Sequence, residues 1–487
     1  MRRPPGPAAA AGGLFPAPLA GLVAGLLTAC AVGPDYQAPA IAPPAAGAFV
    51  SHADGVDPAK DPPDAWWRLY DDERLAGFVA EALAANTDLR VAMANLQLAR
   101  AVMREAHAGR YPTTQLSAGA LYGRSLTADS IAAAFRGHAE DQTTYLGSID
   151  VAYEVDLAGR VSRSIEASQA DAQAAEATRD AVRVAVAAET TRAYVAACSA
   201  GHELEVARRS VEIAEQTVSI VARQRSAGAA SDFDLARVNA TAEQARAQLP
   251  VFEGRRRAAV FELSALLGRP PAEAPAELAG DSHLPTIAAA LPVGDGAQLL
   301  ARRPDVRQAE RRLAAATARV GVATAALYPR VSFGAYFGMT TNDALKGSNA
   351  LTLAIGPLVS WSFPNQAVAR ARIAQSDAAA SAALAGFDGT VLRALKEVEQ
   401  AINAYDAETT RRVSLQAAEG HAAEAYRLSQ SRRREGALSQ LDLLVAEQSL
   451  LGARAALAAS DSRIADAQIS LFKALGGGWR EAPAEKG

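Results

Sequence analysis

The stretch GFDGTVLRALKEVEQAINAYDAE, residues 386–408, lies within a run from Pro364 to Arg434. After Pro364 that run holds no proline, and only Gly386, Gly389 and Gly420 interrupt it. Its apolar residues fall at Val391, Leu395, Val398, Ile402 and Tyr405. Steps of four and three in alternation are the seam of a coiled coil. Arg393, Lys396, Glu397, Glu399 and Gln400 lie between them and exclude a membrane-spanning helix. A helix of about 70 residues would be roughly 100 Å long at ~1.5 Å per residue. It must therefore run beside other helices in an elongated bundle.

The 487 residues are half apolar and carry a formal net charge of −4, a balance with no signature of nucleic-acid binding. Arg2 and Arg3, the apolar run from about Leu14 to Leu27, and the small residues before Cys30 make an export signal over residues 1–29. Cys198, the other cysteine, sits among alanines and reads as a small core residue. Residues 30–73 read as an extended tether rich in proline, alanine and glycine, ending on the bulky pair Trp66-Trp67.

The long helix has a counterpart. Gly228, Asp234 and Glu189 recur as Gly436, Asp442 and Glu397, each pair at the same interval (436 − 228, 442 − 234 and 397 − 189 all give 208). Asp88 precedes Tyr111-Pro112 as Asp305 precedes Tyr328-Pro329. One interval held so widely points to duplication of an α-β-β-α-α unit, over residues 74–268 and 297–476. A proline-rich linker, residues 269–296, joins them, and residues 477–487 form a tail.

The strands decide what the helices serve. In Leu351 to Phe363 the odd positions are Leu, Leu, Ile, Pro, Val, Trp and Phe. The even positions, Leu358 aside, are small or polar. Tyr145 to Leu157 alternates in the same way, with Asp150, Glu154 and Asp156 on its polar side, and Val331 to Thr340 alternates more weakly. The two longer runs exceed the ~9–11 residues a tilted strand needs to cross a bilayer, and aromatics stand towards their ends. Four strands per chain cannot close a barrel, and an open edge in lipid leaves backbone groups unpaired. Three copies, with twelve strands, leave a wider bore than two, whose eight-stranded barrel would be filled by side chains.

Several motifs, in order and partly in duplicate, carry a resemblance to a known family. They are Leu27-Thr-Ala-Cys30, Cys30-Ala-Val-Gly-Pro-Asp-Tyr36, Trp66-Trp67, Arg303-Pro-Asp305, Tyr328-Pro-Arg330, Glu397-Val-Glu399 and Leu475-Gly-Gly-Gly-Trp479. The chain resembles the TolC/OprM group of outer-membrane efflux proteins, in its NodT-like lipoprotein branch. The resemblance implies a mixed α and β fold. A homotrimer would share a twelve-stranded outer-membrane barrel, continued by a long periplasmic α-helical barrel. It implies cleavage before Cys30 and acylation of Cys30, with Ala31 favouring the outer membrane. It implies a passive exit duct, not an enzyme, with no cofactor beyond that covalent lipid. A periplasmic membrane-fusion adaptor and an inner-membrane RND-type pump would be its partners. A type I secretion duct and a non-spanning periplasmic scaffold are the alternatives.

Three site expectations follow. Asp150, Glu154 and Asp156 would ring the lumen and favour cations. The turns at Gly228, Asp234 and Gly436 would form the periplasmic tip and meet the adaptor. The resemblance places a gate on Leu441, Asp442 and Val445, with valine where related channels often carry aspartate. An apolar ring there could gate by dewetting, although Leu441 and Val445 also fit bundle core.

Overall fold

The computed structural model describes residues 31–477 except 125, 281, 288 and 344, so Cys30 and Trp479 lie outside the described residues. A leading segment carries α1 (Pro43–Ala46) and β1 (Val56–Asp57). The first repeat runs α2 (Glu73–Ala85), α3 (Thr87–Ala108), β2 (Thr113–Gly123), α4 (Leu126–Ala134), β3 (Gln142–Val155), α5 (Arg160–Ser226), α6 (Asp232–Arg246) and α7 (Leu249–Leu266). After β4 (Leu291–Pro292) the second runs α8 (Gly296–Arg302), α9 (Pro304–Ala325), β5 (Arg330–Thr341), β6 (Leu351–Ser360), α10 (Ala367–Arg434) and α11 (Gln440–Ala474). The α5 and α10 helices have 67 and 68 residues, so the expected long helices are present in both repeats. No helix among the described residues is long and apolar enough to cross a membrane.

Three breaks depart from the single helices the sequence suggested, and each has a local cause. Asn86 accepts from the N–H groups of Asp88 and Leu89 at 2.9 and 3.1 Å, so it ends α2 and caps α3. Pro304 starts α9 where the chain leaves α8, since proline suits a first helical turn but not an interior. Pro250 splits the expected last helix of the first repeat: its ring would clash with the carbonyl four residues back, and α6 ends there, at Arg246. The second repeat has Ala458 at the matching position, and α11 runs unbroken.

The chain divides into two compact units. One holds the sheet β2-β3-β5-β6, antiparallel throughout, with the adjoining ends of α3, α5, α9 and α10. Here Gly33 lies so close to Gly321 that a Cβ would meet its backbone at 2.5 Å. Arg163 ties the same segment down through Asp35 at 2.6 Å.

The second unit holds the main core. Trp66 is fully buried and stacks on Phe472, ring centroids 4.9 Å apart. The Tyr194 hydroxyl donates to Asp72 Oδ2 at 2.5 Å, while Asp72 Oδ1 caps α2. Val391, Val398, Ile402 and Tyr405 are buried as the coiled-coil seam required, and Cys198 is buried in the same unit. The leading segment is strapped down rather than loose. The Val50 and Ser51 N–H groups donate to Glu399 at 2.7 and 2.8 Å, β1 pairs in parallel with β4, and Phe49 is buried. These backbone hydrogen bonds hold a segment whose prolines and glycines disfavour regular structure of its own.

The motif arginine Arg303 is the hub of this unit. It donates to Asp305 at 2.9 and 2.7 Å, to Glu397 at 2.8 Å and to the Ala474 carbonyl at 2.8 Å. Burial alone would raise the Asp305 carboxyl, but the guanidinium beside it holds that group below the usual carboxylate range.

Candidate functional site

The register sorts the sheet into two unlike faces. Ile149 stands opposite Phe337, and Phe337 opposite Leu353; Val151 stands opposite Ala335, and Ala335 opposite Ile355. That face continues through Leu116, Tyr145, Tyr153, Phe333 and Val359. It is apolar yet open: Leu353 is 76 % and Ile355 82 % exposed. The other face carries Gln115, Asp150, Tyr336 and Ala354 in one row, and Ser117, Ser148, Gly338 and Thr352 in the next. Strands of 10–14 residues match or exceed the ~9–11 a bilayer requires. At one end Trp361 stacks on Phe363 at 4.8 Å and donates from Nε1 to the Leu327 carbonyl at 3.0 Å, an arrangement suited to an interfacial aromatic. The outer edges of β2 and β6 pair with no strand among the described residues.

The far ends of the long helices close in matching ways. The Gly228 N–H donates to Arg225 and the Ala229 N–H to Gln224; Gly436 and Ala437 repeat this with Arg433 and Arg432. Both glycines have positive φ, 72° and 77°, as this cap requires. Ser231 then caps α6 on the Asp234 N–H at 3.1 Å, as Ser439 caps α11 on the Asp442 N–H at 3.1 Å. One unit thus carries a sheet with one greasy and one polar face, and the other carries two matching helical tips.

The family model described as outer membrane efflux protein matches residues 78–269 and again 296–477. The chain belongs to this family. It is 31% identical to outer membrane protein OprJ of Pseudomonas aeruginosa over 469 residues, 94% of this chain and 95% of that protein. It is 28% identical to nodulation protein T of Rhizobium leguminosarum bv. trifolii over 459 residues, 93% and 96% of the two. The solved outer-membrane channel OprN is similar at a TM-score of 0.84 with 34% identity, covering 92% of this chain and all of that one. The chain is thus an outer membrane efflux protein of the TolC/OprM type.

In this efflux protein the three acids expected to share a strand face have different fates. Asp156 lies beyond β3, which ends at Val155. Its carboxylate accepts from the Val161 and Ser162 N–H groups at 2.8 and 2.7 Å, at the start of α5. The unpaired donors of a helix N-terminus draw it there. Glu154 keeps its place on the polar face but is held by Arg160 through two hydrogen bonds of 2.8 and 2.6 Å, with Arg330 at 3.8 Å. Its charge is matched, so it adds little to an acidic ring. Asp150 alone has no cationic partner among the described residues and accepts only from Ser148, at 3.1 Å.

At the tip, Leu441 and Val445 are 46 % and 53 % exposed, whereas Gln440 and Leu444 turn inward. The chain alone does not use Leu441 and Val445 as core. Asp442 also accepts from the Ser439 hydroxyl at 2.5 Å. Asp234 accepts from both the hydroxyl and the N–H of Ser231, which holds its carboxyl below the usual range. Arg225 pairs with Asp232 across the first turn at 2.5 Å.

One group near the tip was missed by sequence reasoning. Glu447 is 1 % exposed, accepts from the Thr217 hydroxyl at 2.7 Å, and leaves its other carboxylate oxygen unpartnered. Burial pushes its carboxyl up. The folded chain therefore binds this proton more tightly than the unfolded chain, and stability falls as pH rises from about 4.3 through the folded value. Glu447→Gln is expected to raise stability at neutral pH by about 1–3 kcal/mol, the order of a buried group's desolvation penalty, because the amide carries no charge. The gain should vanish below about pH 4, where glutamate is itself neutral. Thermal unfolding followed by circular dichroism across pH 3.5–8 checks this.

Proposed function

We propose that this chain is the outer-membrane exit duct of a tripartite efflux system, passively conducting drugs or other small molecules from an inner-membrane RND-type pump and a periplasmic adaptor. The observation that carries the reading is the four-stranded sheet with an exposed apolar face and two unpaired edges. In lipid each open backbone group costs several kcal/mol, so neighbours must complete the wall. Three copies give a twelve-stranded barrel with an open bore. Acylated Cys30 anchors each subunit. The turns at Gly228, Asp234 and Gly436 meet the adaptor, and Leu441, Asp442 and Val445 line the resting constriction.

The purified full-length protein is expected to form trimers that survive detergent electrophoresis and to open unitary conductances in planar bilayers. A monomer that leaves a bilayer intact would instead be a non-spanning scaffold. Replacing Asp442 and Val445 with serine should raise resting conductance severalfold. Unchanged conductance in assembled trimers removes both residues from the constriction.

A further inference from the structure

Asp150 and Tyr336 stand directly opposite each other on the polar face of the sheet, in adjacent strands. Cross-strand partners of this kind have Cβ atoms about 4.5–5.5 Å apart. Tyr336 is the only aromatic residue on that face: the others on β2, β3, β5 and β6 all alternate onto the apolar side. Its ring lies along its own strand over Gly338, where an added Cβ would meet the ring and hydroxyl at 2.3–2.6 Å. Glycine at 338 thus makes room for this pose. The ring is 37 % exposed and open to whatever occupies the bore.

The neighbouring rows are plain by comparison. On one side stand Thr113, Ala152, Gly334 and Gly356; on the other, Ser117, Ser148, Gly338 and Thr352. None carries charge or a ring. Nearer the helices Glu154 is matched by Arg160, and Asp156 is spent on a helix start. Mid-sheet, therefore, a single row offers both a carboxylate without a cationic partner and an aromatic surface.

On the exit-duct reading, we infer that the Asp150–Tyr336 row is a selectivity station for organic cations that carry an aromatic group. The carboxylate attracts the positive charge, and the tyrosine ring offers a face to the cation or a stacking surface to its aromatic part. Simple aliphatic cations would use the carboxylate and the ring face, only a cation with its own aromatic group would also stack on the tyrosine, and anions would use none of these contacts.

The test uses full-length trimers in planar bilayers, with benzyltrimethylammonium and tetramethylammonium as probes. The wild type is expected to favour potassium over chloride, and to favour the benzyl cation over the methyl one about two- to tenfold, as one aromatic stacking contact would allow. Asp150→Asn should move the potassium–chloride reversal potential towards zero. Tyr336→Leu should abolish the preference for the benzyl cation while leaving that reversal potential unchanged. Gly338→Ala, which displaces the ring without deleting it, should give the same loss and serves if Tyr336→Leu fails to assemble. Conducting channels in which all three variants keep both wild-type preferences overturn the inference and leave the duct reading standing. Absence of conductance from the wild type overturns both.

Discussion

Arg303→Ala is expected to lower stability by about 3 kcal/mol, the lower end of what breaking a buried ion pair costs. The removed guanidinium is itself buried, and it serves Asp305, Glu397 and the Ala474 carbonyl together. Asp305 and Glu397 keep about a third of their side-chain surface in water, at 34% and 38%, which places the loss at that lower end. Arg303→Lys should recover less than half, because an ammonium cannot present the forked donors that grip Asp305 at both oxygens. The pH dependence identifies the cause. The Asp305 carboxyl is held low in the folded chain, so its stabilisation is full above its unfolded value near 3.9 and is lost as pH falls through the folded one. The gap between wild type and Arg303→Ala should therefore narrow below about pH 4. A gap that stays constant down to pH 3 would assign the loss to packing against Gly476 instead.

That hub also shows where the sequence was legible. Arg303-Pro-Asp305 and Glu397-Val-Glu399 stood out as motifs, but what joins them is a contact between residues 94 apart in sequence, which no local period encodes. The long helices were readable because heptad spacing with charges between leaves one solution, and α10 begins within a few residues of the expected start. The alternating strands were readable for the same reason: period two commits every side chain to a face. The nine-residue helix α4 was not read, since its alanine run, Ala132 to Ala134, favours no face. The lumen acids were read as equivalent because alternation assigns faces but not partners. Only the fold brings Arg160 back onto Glu154 and lays Asp156 on the first turn of α5. Glu447 was invisible for a related reason: an acid on an otherwise polar stretch of helix reads as solvated until Thr217 and its neighbours enclose it.

Leu353→Arg should abolish assembly, while Thr352→Arg, one residue away, should be tolerated. An arginine on the lipid face of a transmembrane barrel costs about 2–4 kcal/mol near the bilayer midplane. In a closed trimer every subunit carries that cost. Leu353 faces Phe337 on the apolar side, and Thr352 faces Gly338 on the polar side, so the pair differs in face and hardly in depth. The contrast separates a membrane wall from a water-soluble sheet more sharply than either variant alone. Leu353 is 76 % exposed in the single chain. If that exposure were to water, arginine there would change stability by no more than about 0.5 kcal/mol, as surface substitutions usually do. If it is to lipid, detergent-resistant trimers and outer-membrane recovery should both fall for Leu353→Arg and persist for Thr352→Arg. Equal behaviour of the two would mean that the greasy face of this sheet does not meet a bilayer, and a shared pore would lose its basis.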